Sequence, residues 1–474
     1  MRKLLISTFV MCFSASVFAG GLNTNSNQNA SFERQMSQNG IIDLAGLYAN
    51  PAGTAFLANG WHLSYSHMSV WQQRNITTTF PLFAMNGAEP GLKTHKFEGT
   101  AKAPVVPSIS ASYNHDKWSV NAHLAVTGGG GKCTFPNGLG SFESLVAGTI
   151  AAAVPSFRGY LMDSQMEGHS YVFGGQFGAT YKILSNLSAF GGVRVVYGTN
   201  GYDGYIKGIT AIVPNPADPT QNISLTKEQD PRLSDITLDC SQKGWGVTPV
   251  IGIDWKASDY FNLGVKFEAP TKMVYTNSST LSPAAQAVSS LAKFRDGYKV
   301  REDLPAILSM GAMVSPLKGL RMMTGWNVYF DSGVRKSVAA EDGTEVVSLY
   351  KAGEYRPSDS NPDLMVRDID ANTWELNIGV EYDLNKYVTL SGSWQRTVYG
   401  ISDTGISDLS FNNTNNMFAF GVRVKPIQHL SFDLGFMHTI YHDRSVQTAT
   451  AAGIKNDLYI RRNDVLGIGI NYEF

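Results

Sequence analysis

From residue 60 to the C-terminus, apolar and polar side chains alternate with a period of two, as they do in strands, where successive side chains face opposite sides. The last segment is the clearest: Leu466, Ile468, Ile470, Tyr472 and Phe474 share one face, and Gly467, Gly469, Asn471 and Glu473 the other. Trp374, Leu376, Ile378, Val380 and Tyr382 oppose Glu375, Asn377, Gly379 and Glu381 in the same way. A third segment sets Phe261, Leu263, Val265 and Phe267 against Asn262, Gly264, Lys266 and Glu268. Fourteen such segments lie near 60–71, 107–114, 117–127, 170–183, 187–205, 244–256, 260–275, 303–315, 319–331, 372–383, 386–398, 415–425, 428–441 and 459–474. Six short turns and seven longer connections alternate between them, the distribution of a barrel with both ends of its wall on one side of a membrane.

A soluble sandwich also alternates, with its apolar face inward. Two features favour the membrane barrel. Several segments exceed ten residues, the length a tilted spanning strand needs. All eight tryptophans lie in the strand segments, mostly toward an end, as interfacial girdles do. Trp118 and Trp255 mark the periplasmic side and Trp71, Trp245 and Trp374 the outer one, whereas Trp326 sits nearer mid-strand and adds nothing to the girdle. Pro249 and Pro305 each remove a ladder donor and are expected at a bulge or strand end.

One apolar stretch breaks the alternation. In Asn39–Ala58, Ile41, Ile42, Leu44, Leu47 and Tyr48 recur at helical spacing, Asp43 lies near the start, and Asn50-Pro51 forces a turn before a second short piece from Ala52 to Leu57. This reads as a small helical plug, residues 20–59, folded inside the barrel of residues 60–474. The expected fold is therefore all-β: a 14-stranded antiparallel transmembrane β-barrel with an N-terminal plug in its lumen.

Ahead of the plug, Arg2 and Lys3, an uncharged run from Leu4 to Phe18, and Val17-Phe18-Ala19 predict a secretory signal peptide over residues 1–19, carrying Cys12 with it. Composition agrees with a barrel: 43% hydrophobic and 11% aromatic residues, 47 glycines, mean hydropathy of -0.12 and net charge -1. That balance excludes a helical membrane protein and lacks the basic stripe nucleic acid needs. Cys133 and Cys240 stand in an oxidising compartment, where a loop disulfide and two unpaired thiols are both open; without a nearby histidine pair they make no zinc site. No metal or cofactor is expected.

Gly128, Gly129, Gly130 and Gly131 follow the third strand segment and precede Lys132. Position 126 is Val126 and position 133 Cys133, so this is not a phosphate loop. Two readings stay open, a flexible loop base and a kink or gap in the wall. Two long loops carry helical patterns: Phe142, Leu145, Val146, Thr149, Ile150, Ala153 and Val154, then Ala284, Ala287, Val288, Leu291 and Phe294 behind a Ser282-Pro283 start. These helices either pack on each other or form an apolar vestibule from Phe142, Val146, Ile150, Val288, Leu291 and Phe294. Inward-facing Arg194, Lys266, Arg321 and Arg423 either hold a carboxylate head group or pair with lumen acids such as Glu268 and Glu375. No G-x-S-x-G or H-E-x-x-H motif occurs, so no enzyme is expected.

Taken together, these segments resemble the FadL and TodX type of outer-membrane transporter for long-chain fatty acids and other hydrophobic compounds. The resemblance is carried by Asp43-Leu44-Ala45-Gly46 through Asn50-Pro51-Ala52-Gly53, by Trp118 to Lys132, by Gly138 to Glu143, and by Arg194-Val195-Val196-Tyr197 and Phe267-Glu268-Ala269-Pro270-Thr271-Lys272. It implies a hatch at Asn50, Pro51, Ala52 and Gly53, passive capture of a fatty acid or aromatic hydrocarbon by the outer loops, and sideways exit into outer-membrane lipid at the kinked third strand. Tyr472-Glu473-Phe474 resembles the terminal aromatic signal of outer-membrane proteins, which implies contact with the barrel-assembly machinery through Phe474. A general diffusion porin and a structural or adhesive barrel are the competing classes.

Overall fold

The computed structural model describes residues 29–87, 93–358 and 363–474. The expected leader and the plug's first residues, 20–28, lie outside them. Fourteen wall strands, numbered here in chain order, form one closed antiparallel ring. They are β1 Gly60–Thr79, β2 Thr94–His115, β3 Trp118–Phe135, β4 Gly159–Leu184 and β5 Leu187–Asn215. Next come β6 Ile236–Ser258, β7 Phe261–Glu268, β8 Ile307–Leu317 and β9 Leu320–Tyr329. The remainder are β10 Thr373–Asp383, β11 Val388–Val398, β12 Asn415–Ile427, β13 Leu430–Tyr441 and β14 Gly453–Glu473. Each pairs with its neighbour in sequence, and β14 pairs with β1 from Glu473↔His62 to Asn456↔Thr79. A closed ring has no edge, so backbone donors and acceptors that lipid could not satisfy are met within the wall. No helix among the described residues is long and apolar enough to cross a membrane.

The alternation places side chains as the pattern predicts. In β14, Ile468 is 52% exposed while Val465, on the opposite face, is 4% exposed. Outward-facing Trp61, Trp71, Trp118, Trp245, Trp255 and Trp326 are all exposed. Inside, polar residues such as Ser64, Asn121, Gln176 and Asn377 are buried.

Several strands run farther than the pattern marks. β1 continues to Thr79, β4 begins at Gly159 and β5 reaches Asn215, because beyond the lipid zone the outer face turns polar and the contrast fades. The expected strand over 260–275 is broken: β7 stops at Glu268, just before Pro270, and pairing resumes at Val274–Leu281, which lies against the upper part of β6. Lys299–Glu302, Arg335–Ala339 and Glu345–Lys351 extend that upper sheet side by side. Pro249 marks neither a bulge nor a strand end. It pairs in register with Val193, and its carbonyl accepts from Ala269, so the side that lacks an N–H faces the break between β7 and Val274. Pro305 lies outside β8.

At the long-loop end, the helix Gly140–Ala153 packs into an apolar core with Phe80, Phe83, Phe135, Tyr160 and Ile206. The second helical pattern is shorter than expected: a helix spans Pro283–Ala287, capped by Ser282 at 3.2 Å from the Ala285 amide, and Ser289–Phe294 is a 3-10 turn after extended Val288. Cys133 and Cys240 are both buried free thiols, on β3 and β6.

Candidate functional site

The lumen is stoppered by residues 29–59. A five-residue helix, Ala30–Arg34, is started by Asn29, whose side chain accepts from Phe32 N at 2.8 Å. Two 3-10 turns follow, Leu44–Gly46 capped by Asp43 and Pro51–Phe56 with proline in its first turn. The Asn50-Pro51 break is where the sequence puts it, but the first piece is a single 3-10 turn rather than a helix.

Three of the four hatch residues, Asn50, Pro51 and Ala52, bond to the barrel. Asn50 Nδ2 donates to Ile41 O at 3.0 Å and to Asp254 Oδ2 on β6 at 2.5 Å. Thr180 Oγ1 on β4 donates to Pro51 O at 3.3 Å, and Ser188 Oγ on β5 to Ala52 O at 2.7 Å. Gly53 leaves room for the Asn50 amide: a Cβ there would stand 2.7 Å from Nδ2. The opposite wall is cut to fit the rest of the plug. On seven strands, Gly264, Gly311, Gly325, Gly379, Gly421, Gly435 and Gly467 lie directly against it. A methyl at Gly311 or Gly421 would stand 2.5 Å from Asn39 Cβ or Arg34 Cγ.

All four cations singled out in the sequence point into the lumen, and each meets a carboxylate of the chain. Arg194 and Lys266 share Glu268, each at 2.6 Å, and clasp the Tyr48 ring at 4.5 and 4.4 Å from its centroid. Arg321 reaches Glu381 at 2.9 Å and Asp383 at 2.7 Å. Arg423 joins Asp433 at 2.7 Å to Asp43 of the plug at 2.5 Å. Glu375 accepts from Tyr329 and Asn327. Sequence reasoning missed Arg34, which inserts between Glu381 at 2.5 Å and Asp433 at 3.1 Å and so completes this lattice. The available signal was the Asn29 cap ahead of Ala-Ser-Phe-Glu-Arg.

Besides the break after β7, the wall is interrupted beside the plug between β2 and β3. The β2–β3 ladder holds Lys102↔Lys132 and next holds Ser108↔Ala125, leaving 103–107 and 126–131 without partners across that seam. Each strand stays tied on its far side, β2 to β1 and β3 to β4. The glycine run therefore lies within β3, at the stretch where its ladder with β2 is interrupted. β3 bulges twice against β4, between Val126 and Gly128 and between Gly129 and Gly131, and the two glycines flanking the second bulge take positive φ, 120° at Gly129 and 70° at Gly131. Opposite them, Pro104 and Pro107 of β2 have no N–H to offer. Just inside the seam, Ala103, Val106 and Val126 adjoin a methionine-rich cluster of Met36, Met68, Met417 and Met437 with Phe32 of the plug.

At the long-loop end, Phe142, Val146, Ile150, Leu291 and Phe294 are closed into the apolar core, with Val288 packed at its margin. The open cavity there, about 590 Å³, is lined instead by mixed groups including Lys293, Arg301, Lys336, Tyr350 and Asp368.

No family model and no curated protein sequence matches the chain. Solved structures do. A Pseudomonas aeruginosa FadL homologue superposes with a TM-score of 0.66 at 12% identity, covering 96% of this chain and 100% of its own. The Pseudomonas putida toluene transporter TodX gives 0.55 at 12%, covering 92% and 95%. The CymD monoaromatic hydrocarbon channel gives 0.54 at 11%, covering 96% and 98%. The fold is thus that of FadL- and TodX-type barrels.

Proposed function

We propose that this chain is a passive outer-membrane channel for hydrophobic compounds, with long-chain fatty acids as its principal cargo. The residues before the plug act as its secretory leader, and Phe474 presents the wall to the barrel-assembly machinery. Solute enters through the long loops, reaches the lumen above the plug, and leaves sideways between β2 and β3 into outer-membrane lipid. The observation that carries this reading is the pairing of a firmly seated plug with an interrupted ladder beside it. An axial route past the plug must displace the Arg34 and Arg423 ion pairs, whereas the seam offers a route lined by Val106, Val126 and methionines. Delivery to lipid also spares an acyl chain the cost of exposure in a water-filled pore, about 0.8 kcal/mol per methylene. The hydrocarbon channels among the structural neighbours favour a second cargo, neutral monoaromatics.

The test compares uptake of labelled oleate and labelled toluene by cells with the intact chain and with Gly128–Gly131 replaced by Val-Thr-Val-Thr, both shown folded by heat-modifiable gel mobility. The intact chain is expected to raise uptake above empty cells and the closed seam to abolish it. Equal uptake through both barrels rules out lateral exit, and no uptake of either label through the intact chain rules out transport.

A further inference from the structure

On the outer face of the wall, Trp71 of β1, Lys102 of β2 and Lys132 of β3 stand in one row, Trp71 opposite Lys102 and Lys102 opposite Lys132. Alternation decides their aim: the inward neighbours Ala101 and Cys133 are buried, while Trp71, Lys102 and Lys132 are exposed. Like charges directly opposite each other weaken a ladder. Glu167 of β4 takes Lys132 at 2.7 Å. Among the described residues Lys102 forms no ion pair, and neither does exposed Arg462 of β14, which pairs with Gln73 of β1. Asp464, the partner of Trp71 in the ladder, is taken by His438 at 2.6 Å. Two strand spacings and two residues separate Arg462 from Lys102, which sets their Cα atoms about 12 Å apart.

Below this row, away from the long loops, the outer face turns aromatic and then aliphatic. Tyr171 of β4 pairs with Gly129 beside the seam and starts a belt across β4 to β6. Ring centroids lie 6.1 Å apart from Tyr171 to Phe173, 6.4 Å from Phe173 to Tyr197, and 4.6 Å from Tyr197 to Trp245. Farther down, Val105, Ile109 and Leu124 are bare of protein on that face, Val105 being 65% exposed. Cations, rings and aliphatic side chains thus follow one another as phosphate, interface and acyl chain do in a leaflet.

We infer that Lys102, Lys132 and Arg462 bind the two phosphates of a bisphosphorylated glycolipid of the outer leaflet, whose acyl chains lie along Val105, Ile109 and Leu124. One phosphate between Lys102 and Lys132 relieves their mutual repulsion, each ammonium serving it as a point charge. The second reaches Arg462, which a single phosphate on the lysines does not. Lys102 opposite Lys132 is the last pair before the interrupted stretch of the β2–β3 ladder, so the bound lipid ties both strands together at the outer end of the seam. The site takes a resident of the membrane on the lipid side of the wall. It rests on the outer-membrane reading above, with the long loops outward, and not on any cargo.

The test titrates the purified chain in detergent with bisphosphoryl lipid A, monophosphoryl lipid A or phosphatidylglycerol, and counts bound lipid by native mass spectrometry. The intact chain is expected to bind bisphosphoryl lipid A roughly tenfold more tightly than either of the others, as two surface cations allow. Lys102→Gln/Arg462→Gln removes that preference in a barrel whose heat-modifiable mobility is unchanged. Lys318→Gln/Lys386→Gln, the same loss of charge at exposed positions in the short turns, keeps it. Equal losses in the two pairs trace the effect to net charge and overturn the site. An intact chain that binds phosphatidylglycerol as tightly as bisphosphoryl lipid A, or binds neither, overturns it too. Oleate and toluene uptake is read separately, so the loss of this site leaves the transport reading to its own test.

Discussion

Asn50 ties two parts of the plug to one wall carboxylate. Its amide bridges Ile41 O and Asp254, and Asn262 adds a second donor to Asp254 at 2.8 Å. Asn50→Leu keeps the volume but takes one donor from a buried acid, a loss of about 1.5–3 kcal/mol. The expected outcome is a folded barrel with a looser stopper, read as higher single-channel conductance in planar bilayers; wild-type conductance would count against this contact as an anchor. The Asn50-Pro51 turn is legible in the sequence because proline acts on its immediate neighbours. The inward aim of Arg194 and Arg423 is legible too, since parity along a strand decides it. Their partners are not, because Asp43 and Arg423 meet only through the register of a barrel closed by remote strands.

Among elements, β3 and the helix Ala30–Arg34 hold their positions for opposite reasons. β3 is freed from β2 by glycines on one strand and prolines on the other; the glycine run announces this in sequence, while Ala103-Pro104-Val105-Val106 lies just before the segment that alternation marks. The helix is held by the absence of side chains on strands far along the chain. Inward glycines are visible in the sequence of β7, β10 and β14, but nothing local says that a backbone will lie against them. Gly421→Leu is expected to push Arg34 out of its place between Glu381 and Asp433 while β12 keeps its pairing. Disulfide trapping reads it: a cysteine pair at Ala30 and Gly467, 3.0 Å apart as Cα and built Cβ, should cross-link in the parent and fail in the Gly421→Leu background. Cross-linking at the parental rate would mean the seat tolerates bulk.

For the whole molecule, ring and stopper are mutually dependent. Thr54 meets β2, β3 and β4 through Asn114, Ser119 and Thr180, while Arg34 meets β10 and β13. The stopper's sequence precedes every strand, yet much of its seat is the last part of the wall to be made. The β14–β1 seam is therefore expected to zip shut around a stopper already inside, which would make the order of assembly part of the architecture. Splitting the chain exposes this history. A peptide of residues 20–59 present while 60–474 refolds should yield low conductance, and the same peptide added after closure should leave the pore open. If late addition seals it equally well, the finished wall admits its stopper, and biogenesis need not keep the two in sequence.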